Sequence, residues 1–498
     1  MTGLLERDDL LARLASLAQA AAGGAGRTVL VGGEAGIGKT SVLERFAAQL
    51  RGGRILWGGC EALATPRPLG PLHDLAMQTS SELRARLAAG GDRAVLFAAV
   101  LDEIARPPAP TVLVFEDVHW ADEATLDLVK YLGRRIHRTP ALLVLSHRDD
   151  VASLDRLRSV LGELPPAHVT RVGVPPLSRA AVERMTAGSP RLDGAGIHAA
   201  TGGNAFFVAE ILRQGNAGQA VPETVRDAVL ARAASLSPAA LAVLQLVAIV
   251  PRQVGVDLVE RIAAPTTVAV ESCLASGLLV ADGRALRFRH ELARTAVEAS
   301  LSAPRAAQLH ARVLAALSNL PEGAVSLAAR VHHAQGAGDA EAVLRWAPQA
   351  AREAALRGAR REAVAQCRTA LAHGDRLDDD ARAALLDDLA THSFELNDLD
   401  TAIAAREQAI ALYERGCDAD DSRSERCRSD GATGAPGASD AAGAARAVRV
   451  ERRSLALCAQ AISLVRALRN AEADAVSRRA VALAETLPPG RSRTAIAP

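Results

Sequence analysis

A chain of 498 residues is too long for a single hydrophobic core, so several domains are expected. Hydrophobic residues at 49% and charged residues at 23% exclude a chain that is disordered throughout. Lys+Arg at 58 nearly cancels Asp+Glu at 57, and the net charge of +1 excludes a globally basic nucleic-acid coat.

Residues 4–22 read as a helix, with Leu4, Leu5, Leu11, Leu14 and Leu17 on one side and Gly23, Gly24 and Gly26 ending it. Five short apolar runs follow, each succeeded by a helical pattern: Thr28–Val31, Arg54–Trp57, Thr111–Phe115, Ala141–Ser146 and Val169–Val174. Continuous apolar strands alternating with helices predict a parallel sheet covered on both faces. The first helix begins on an acidic, amphipathic segment, which is no signal peptide, and the longest apolar stretch, Leu241–Val250, is too short to span a membrane. Six cysteines at 60, 273, 367, 417, 427 and 458 lack CxxC spacing and have no histidine cluster beside them. Neither a zinc site nor a disulfide framework is expected, and a cytoplasmic location fits.

Between the first apolar run and the next helix stands Gly33-Glu34-Ala35-Gly36-Ile37-Gly38-Lys39-Thr40, which matches GxxxxGK[ST], with Ser41 opening the helix. Glycines allow backbone N–H groups to wrap phosphates at a helix N-terminus. Lysine sets a compact ammonium against the outer phosphates, and the Thr40 hydroxyl is placed to ligate Mg²⁺. Only Lys39 and Lys130 are lysines, so the other 56 of 58 cations are arginine and Lys39 stands against the composition of its own chain. The third strand ends in Glu116-Asp117. A carboxylate there can hold the Mg²⁺ shell and the next can orient a water. The usual order is Asp then Glu; here position assigns the metal to Glu116 and the water to Asp117, with Asp122 in reserve. Arg148, at the tip of the fourth strand, reads either as a γ-phosphate sensor or as a surface arginine paired with Asp149 or Asp150. Leu4, Leu5, Pro175 and Pro176 are candidates for an adenine floor or for ordinary packing.

Beyond Pro176 helices dominate. The expected organisation is a P-loop ATPase domain at 1–176, a helical lid at 177–230, a winged-helix-like domain at 231–300 and a helical arm at 301–498. The winged helix rests on a hairpin, Gly277–Ala281 and Ala285–Arg289 joined by Asp282-Gly283-Arg284. Within the arm, Ala363-Val364 with Ala370-Leu371 recurs as Ala402-Ile403 with Ala409-Ile410 and again at Ala473 with Ala480-Val481. Small residues at that spacing predict degenerate tetratricopeptide-like repeats, with unrelated Ala-rich helices as the alternative. Residues 416–447 show no periodicity and read as a disordered insert, or as a locally shifted reading frame. The overall expectation is an α/β P-loop NTPase fold followed by helical lid, winged helix and α-helical repeats.

Taken in order, the P-loop, Phe115–Asp122, Thr201-Gly202-Gly203-Asn204-Ala205-Phe206-Phe207, Val221–Val229 and Phe288–Arg294 resemble the AAA-type core of large LuxR-family, MalT-like transcriptional regulators. These are signal-transduction ATPases with numerous domains. The resemblance covers roughly residues 1–415. It implies a switch that is ADP-bound at rest and ATP-bound when active, with an inducer sensed on the helical arm and homo-oligomerisation as output. It also implies that His290 approaches the nucleotide phosphates; the residues alone equally allow a structural histidine beside Glu291. Thr201–Phe207 reads first as a helix-starting turn capped by Asn204, and second as a loop near the nucleotide. Family members usually end in a LuxR-type helix-turn-helix. None is read after residue 450, so truncation, or output through a partner protein, is expected.

The function this sequence supports is therefore ATP binding with slow hydrolysis in a regulatory switch. The rivals are a nucleotide-stabilised, non-enzymatic scaffold and DNA binding through the winged helix, where Arg284, Arg287, Arg289 and Arg294 gather.

Overall fold

The computed structural model describes residues 4–79, 81–89, 92–106, 108–187, 193–214, 225–321, 325–429 and 438–486. They form two compact units, residues 1–339 and 340–498.

The first unit is built on a parallel sheet of β1 (Arg27–Gly32), β2 (Arg54–Gly59), β3 (Thr111–Glu116), β4 (Ala141–His147) and β5 (Val169–Gly173). Their spatial order is β2-β3-β4-β1-β5. Alternate residues serve opposite faces. Val29, Val31, Val112, Val114, Leu142, Val144 and Val172 join one core cluster with the helices Asp8–Ala22 and Lys39–Gln49. Their neighbours Leu30, Leu113, Leu143 and Leu145 are equally buried on the other side, which the helices Arg93–Ala105 and Glu123–Gly133 help to cover. This double burial is why the strands read as unbroken apolar runs. The order also puts β4 directly beside β1, with Ser146 opposite Val31 and His147 opposite Gly32. The tips of β3 and β4 therefore converge on the loop that follows β1.

A second, antiparallel sheet contains β6 (Val254–Gly255), β7 (Leu279–Asp282) and β8 (Ala285–Phe288), in the order β6-β8-β7. The predicted hairpin is β7–β8. These strands share one core cluster with the helices Pro238–Ala248, Val256–Ala263, Thr267–Ala275 and Glu291–Ala299, the arrangement of a winged helix. The next helices, Ala303–Ser318 and Leu327–Ala337, pack on each other and lie with the first unit. Of the Val221–Val229 motif, Val221–Thr224 lie outside the described residues.

The second unit is helical. Ala340–Leu356 pairs with Arg360–Leu371, Asp379–Glu395 with Leu399–Ser429, and Ala438–Arg466 with Asn470–Ala484. The repeated small residues sit on the second helix of each pair: Ala363, Ala370, Ala402, Ala409, Ala473 and Ala480 are all buried. The stretch 416–447, expected to be irregular, is entered by helix from both sides; its centre, 430–437, lies outside the described residues. Helix continues past 416 because Cys417 packs against Val450, and Arg449 bridges Asp420 and Asp380, the latter at 2.7 Å.

Candidate functional site: a phosphate loop and its carboxylates

The loop between β1 and the helix Lys39–Gln49 turns through left-handed backbone at Gly36 (φ 79°) and Gly38 (φ 103°), conformations that glycine adopts without a steric cost. At Gly36 the lack of a side chain also matters for packing. A Cβ there would meet Leu292 Cδ1 at 2.9 Å, Asn204 Oδ1 at 3.0 Å and Phe206 Cβ at 3.1 Å. Ile37 points down into the core and is 1% exposed, anchoring the loop to the sheet below.

Lys39 is buried at the first position of its helix, and its ammonium donates to the carbonyls of Gly33 at 2.7 Å and Glu34 at 2.9 Å. Burial lowers its pKa, against the pull of the Asp117 charge. Next to it, the Thr40 hydroxyl donates to Glu116 Oε1 at 2.5 Å, and the Trp57 indole donates to Glu116 Oε2 at 3.1 Å. The hydroxyl and the carboxylate thus stand side by side. They are two hard oxygen donors of the kind that Mg²⁺ takes alongside phosphate oxygens.

Asp117 adopts left-handed backbone (φ 53°), and its N–H donates to Ser146 Oγ on β4 at 2.9 Å. Burial pushes its carboxyl up to about 6, the adjacent Glu116 charge adds to this, and Lys39 and Arg148 oppose it. A carboxylate titrating there is ionised at neutral pH yet basic enough to accept a proton from water. His119 Nδ1 lies 3.9 Å from Asp117 Oδ1, and burial together with the Arg148 and Lys39 charges drops its pKa to about 3. It is therefore neutral at physiological pH. Arg148 stacks over Trp120 at 4.8 Å, and its charge acts on Lys39, Asp117 and His119.

Thus Lys39, Thr40, Glu116, Asp117 and Arg148 come together. Asp122 does not join them. It caps the helix Glu123–Gly133 by accepting from the Thr125 N–H at 3.0 Å, and it also accepts from Leu69 N–H at 3.1 Å and from the Thr125 hydroxyl. These bonds hold Asp122 in the fold as a helix cap, away from the Glu116–Thr40 contact.

His290 stands one layer behind the loop, its ring 4.3 Å from that of Phe206, whose N–H donates to the Gly36 carbonyl at 3.0 Å. Burial, with Arg213, Arg289 and Arg287 nearby, lowers its pKa to about 3. Phe206 links it to the loop. The Thr201–Phe207 segment is both a turn and a clamp. Gly202 (φ 57°) and Gly203 (φ 76°) make the bend, and Asn204 Nδ2 donates to the Ala35 carbonyl at 2.9 Å. The segment starts the helix Ala205–Gln214, with Phe206, Phe207 and Ile211 buried, and Asn204 also reaches the loop after β1.

Two further ties join the winged-helix region to the tip of β2 and to the helices beside the sheet. Arg252 donates to the Gly59 carbonyl at 3.0 Å and to Asp74 at 2.5 Å, while Arg287 pairs with Glu44 at 3.0 Å. The arginines considered for DNA all have protein partners. Arg284 pairs with Asp257, Arg287 with Glu44, Arg289 donates to the Gly277 carbonyl, and Arg294 to Glu291, Glu298 and Ala248. At the N-terminal segment, Arg7 donates to the Pro175 carbonyl at 2.7 Å and Glu6 accepts from Ser178, while Leu4 and Leu5 pack into separate core clusters.

Sequence reasoning missed Trp57, Ser146 and Arg252. Ser146 carries a signal, a polar residue at the tip of an apolar strand next to the P-loop strand. Trp57 and Arg252 carry none.

The family model described as AAA ATPase domain matches residues 3–145. No curated protein sequence matches the chain. Among solved structures it is similar to a signal transduction ATPase with numerous domains and a tetratricopeptide repeat sensor from Pyrococcus horikoshii. The identity is 15% and the TM-score 0.51, over 97% of this chain and 77% of that one. It is also similar to the ORC2 protein of Aeropyrum pernix in ADPNP–ADP complexes, at 15% identity and TM-score 0.35, over 60% of this chain and 95% of that one. Cdc6p of Pyrobaculum aerophilum matches at 16% identity and TM-score 0.35, over 61% and 96%. No helix among the described residues is long and apolar enough to cross a membrane.

Proposed function

We propose that this chain is an ATP-dependent signalling switch that binds ATP and ADP, hydrolyses ATP slowly, and belongs with the LuxR-type, MalT-like regulators. The observation that carries the reading is the 2.5 Å contact between Thr40 and Glu116 beside the buried Lys39. It unites the end of the P-loop with the tip of β3, as a magnesium–triphosphate site requires.

On this reading the loop amides of residues 33–38 and the Lys39 ammonium hold the phosphates, with Ser41 completing the first helical turn. Thr40 and Glu116 would hold Mg²⁺, which neutralises phosphate charge. Asp117 orients a water and takes its proton, and Arg148 senses the γ-phosphate from the β4 tip. His290 and Asn204 report the state of the loop to the lid and winged helix. The proposed organisation is an ATPase domain at 1–176, a lid at 177–230, a winged helix at 231–300 and an arm at 301–498.

The arm is where an inducer would act. A cleft of about 360 Å³ in the second unit, lined by Arg368, Arg382, Leu386, Leu389, Thr401 and Gln408, is the candidate pocket. Homo-oligomerisation in the ATP state and a cytoplasmic setting complete the proposal.

Asp117→Asn tests the chemical assignment. It keeps ATP binding and loses turnover in a single-turnover phosphate-release assay. Equal phosphate release by variant and parent would remove Asp117 from the mechanism.

A further inference from the structure

Three histidines outside the nucleotide site face one another in the first unit. His310 lies on the helix Ala303–Ser318, and His332 and His333 lie on Leu327–Ala337. Each offers a ring nitrogen, and these nitrogens all lie within 4.8 Å of one another. His310 Nδ1 and His333 Nδ1 are 2.9 Å apart, so they share one proton between two neutral rings. The three ring centres are mutually spaced at 5.0, 5.0 and 5.3 Å. Zinc held by three imidazoles at about 2.0–2.1 Å in tetrahedral geometry spaces the ring centres by roughly 5 Å.

The surroundings suit a ligand set. Gly336 stands one turn beyond His332 and His333, and a Cβ there would meet the His310 ring at 2.5 Å, so the glycine admits the third imidazole. His332 Nε2 is buried without a hydrogen-bond partner, while the Ile249 carbonyl lies beside the same ring. A carbonyl at one nitrogen and a free second nitrogen is the arrangement that metal-bound imidazoles use. The Glu298 carboxylate acts on His332 as well.

We infer that His310, His332 and His333 bind a divalent transition metal of the zinc class, clipping together the two helices that follow the winged helix. Three protein ligands leave one coordination position for water or an added carboxylate.

The test uses the full chain, dialysed against a chelator and titrated with Co²⁺. We expect uptake of one equivalent with the intense visible bands of a four-coordinate site, displaced by Zn²⁺. The bands are lost in His332→Gln and kept in Lys39→Ala, which separates this site from the nucleotide site. X-ray absorption on the zinc-loaded parent needs no variant and reports three imidazole nitrogens. A parent that takes up no Co²⁺, bands that persist unchanged in His332→Gln, or a sulfur shell around zinc would each overturn the assignment.

Discussion

Asp117 is held in a conformation and an environment that work against its charge. Its backbone is left-handed, its carboxyl is pushed up to about 6, and Glu116 stands next to it. In the unfolded chain the same group titrates near 3.8. Above pH 6 the charged form is less favourable in the folded protein, so Asp117 then subtracts stability; below about 4 both states are protonated and the effect disappears. Asp117→Asn should therefore melt higher than the parent at pH 8, by about 1–2 kcal/mol, with the gain fading as pH falls through 6. A pH-independent difference, measured by thermal unfolding across that range, would remove the raised carboxyl from the explanation. At this scale the P-loop residues and Glu116-Asp117 are legible because spacing along the chain fixes them. Trp57 and Ser146 are not, since they reach the carboxylates from neighbouring strands. Asp122 reads as a spare acid because its role as a helix cap depends on which helix starts there.

Among the elements, the contacts that tie residues 204–287 to the P-loop, its helix and the tip of β2 matter most. Asn204 reaches Ala35, Arg287 reaches Glu44, and Arg252 reaches Gly59 and Asp74. A Cβ at Gly59 would meet the Arg252 guanidinium at 2.7 Å, so the tip of β2 is shaped to receive it. The half-exposed ion pairs among these contribute no more than about 1 kcal/mol each. Arg252→Ala is expected to lower the melting temperature and to release bound fluorescent ADP several-fold faster in stopped flow. Unchanged release would show that this contact only supports the fold. The five core strands are legible because both faces are buried. β6 is not, being only two residues long. The helix through 416–429 is hidden by its Gly, Asp, Ser and Arg content, although Cys417 and Asp420 lie on the face that meets Val450 and Arg449. The histidine trio is invisible in spacing because its members come from two helices.

The whole molecule divides into a unit that carries the parallel sheet and the P-loop and a unit of paired helices. The order of domain types follows from the change in apolar periodicity, from strands alternating with helices to helices alone. What would drive the proposed switch does not follow from that order, because a pocket for an inducer is a property of packed helices and not of any motif. The proposed switch depends on the loop of residues 33–40 holding a triphosphate against Lys39. Titration calorimetry with Mg-ATP on the parent chain and on Lys39→Ala tests this most directly. Micromolar binding of one nucleotide by the parent and no measurable heat from the variant are expected. Micromolar affinity retained by Lys39→Ala, or none in the parent, would contradict the proposed switch.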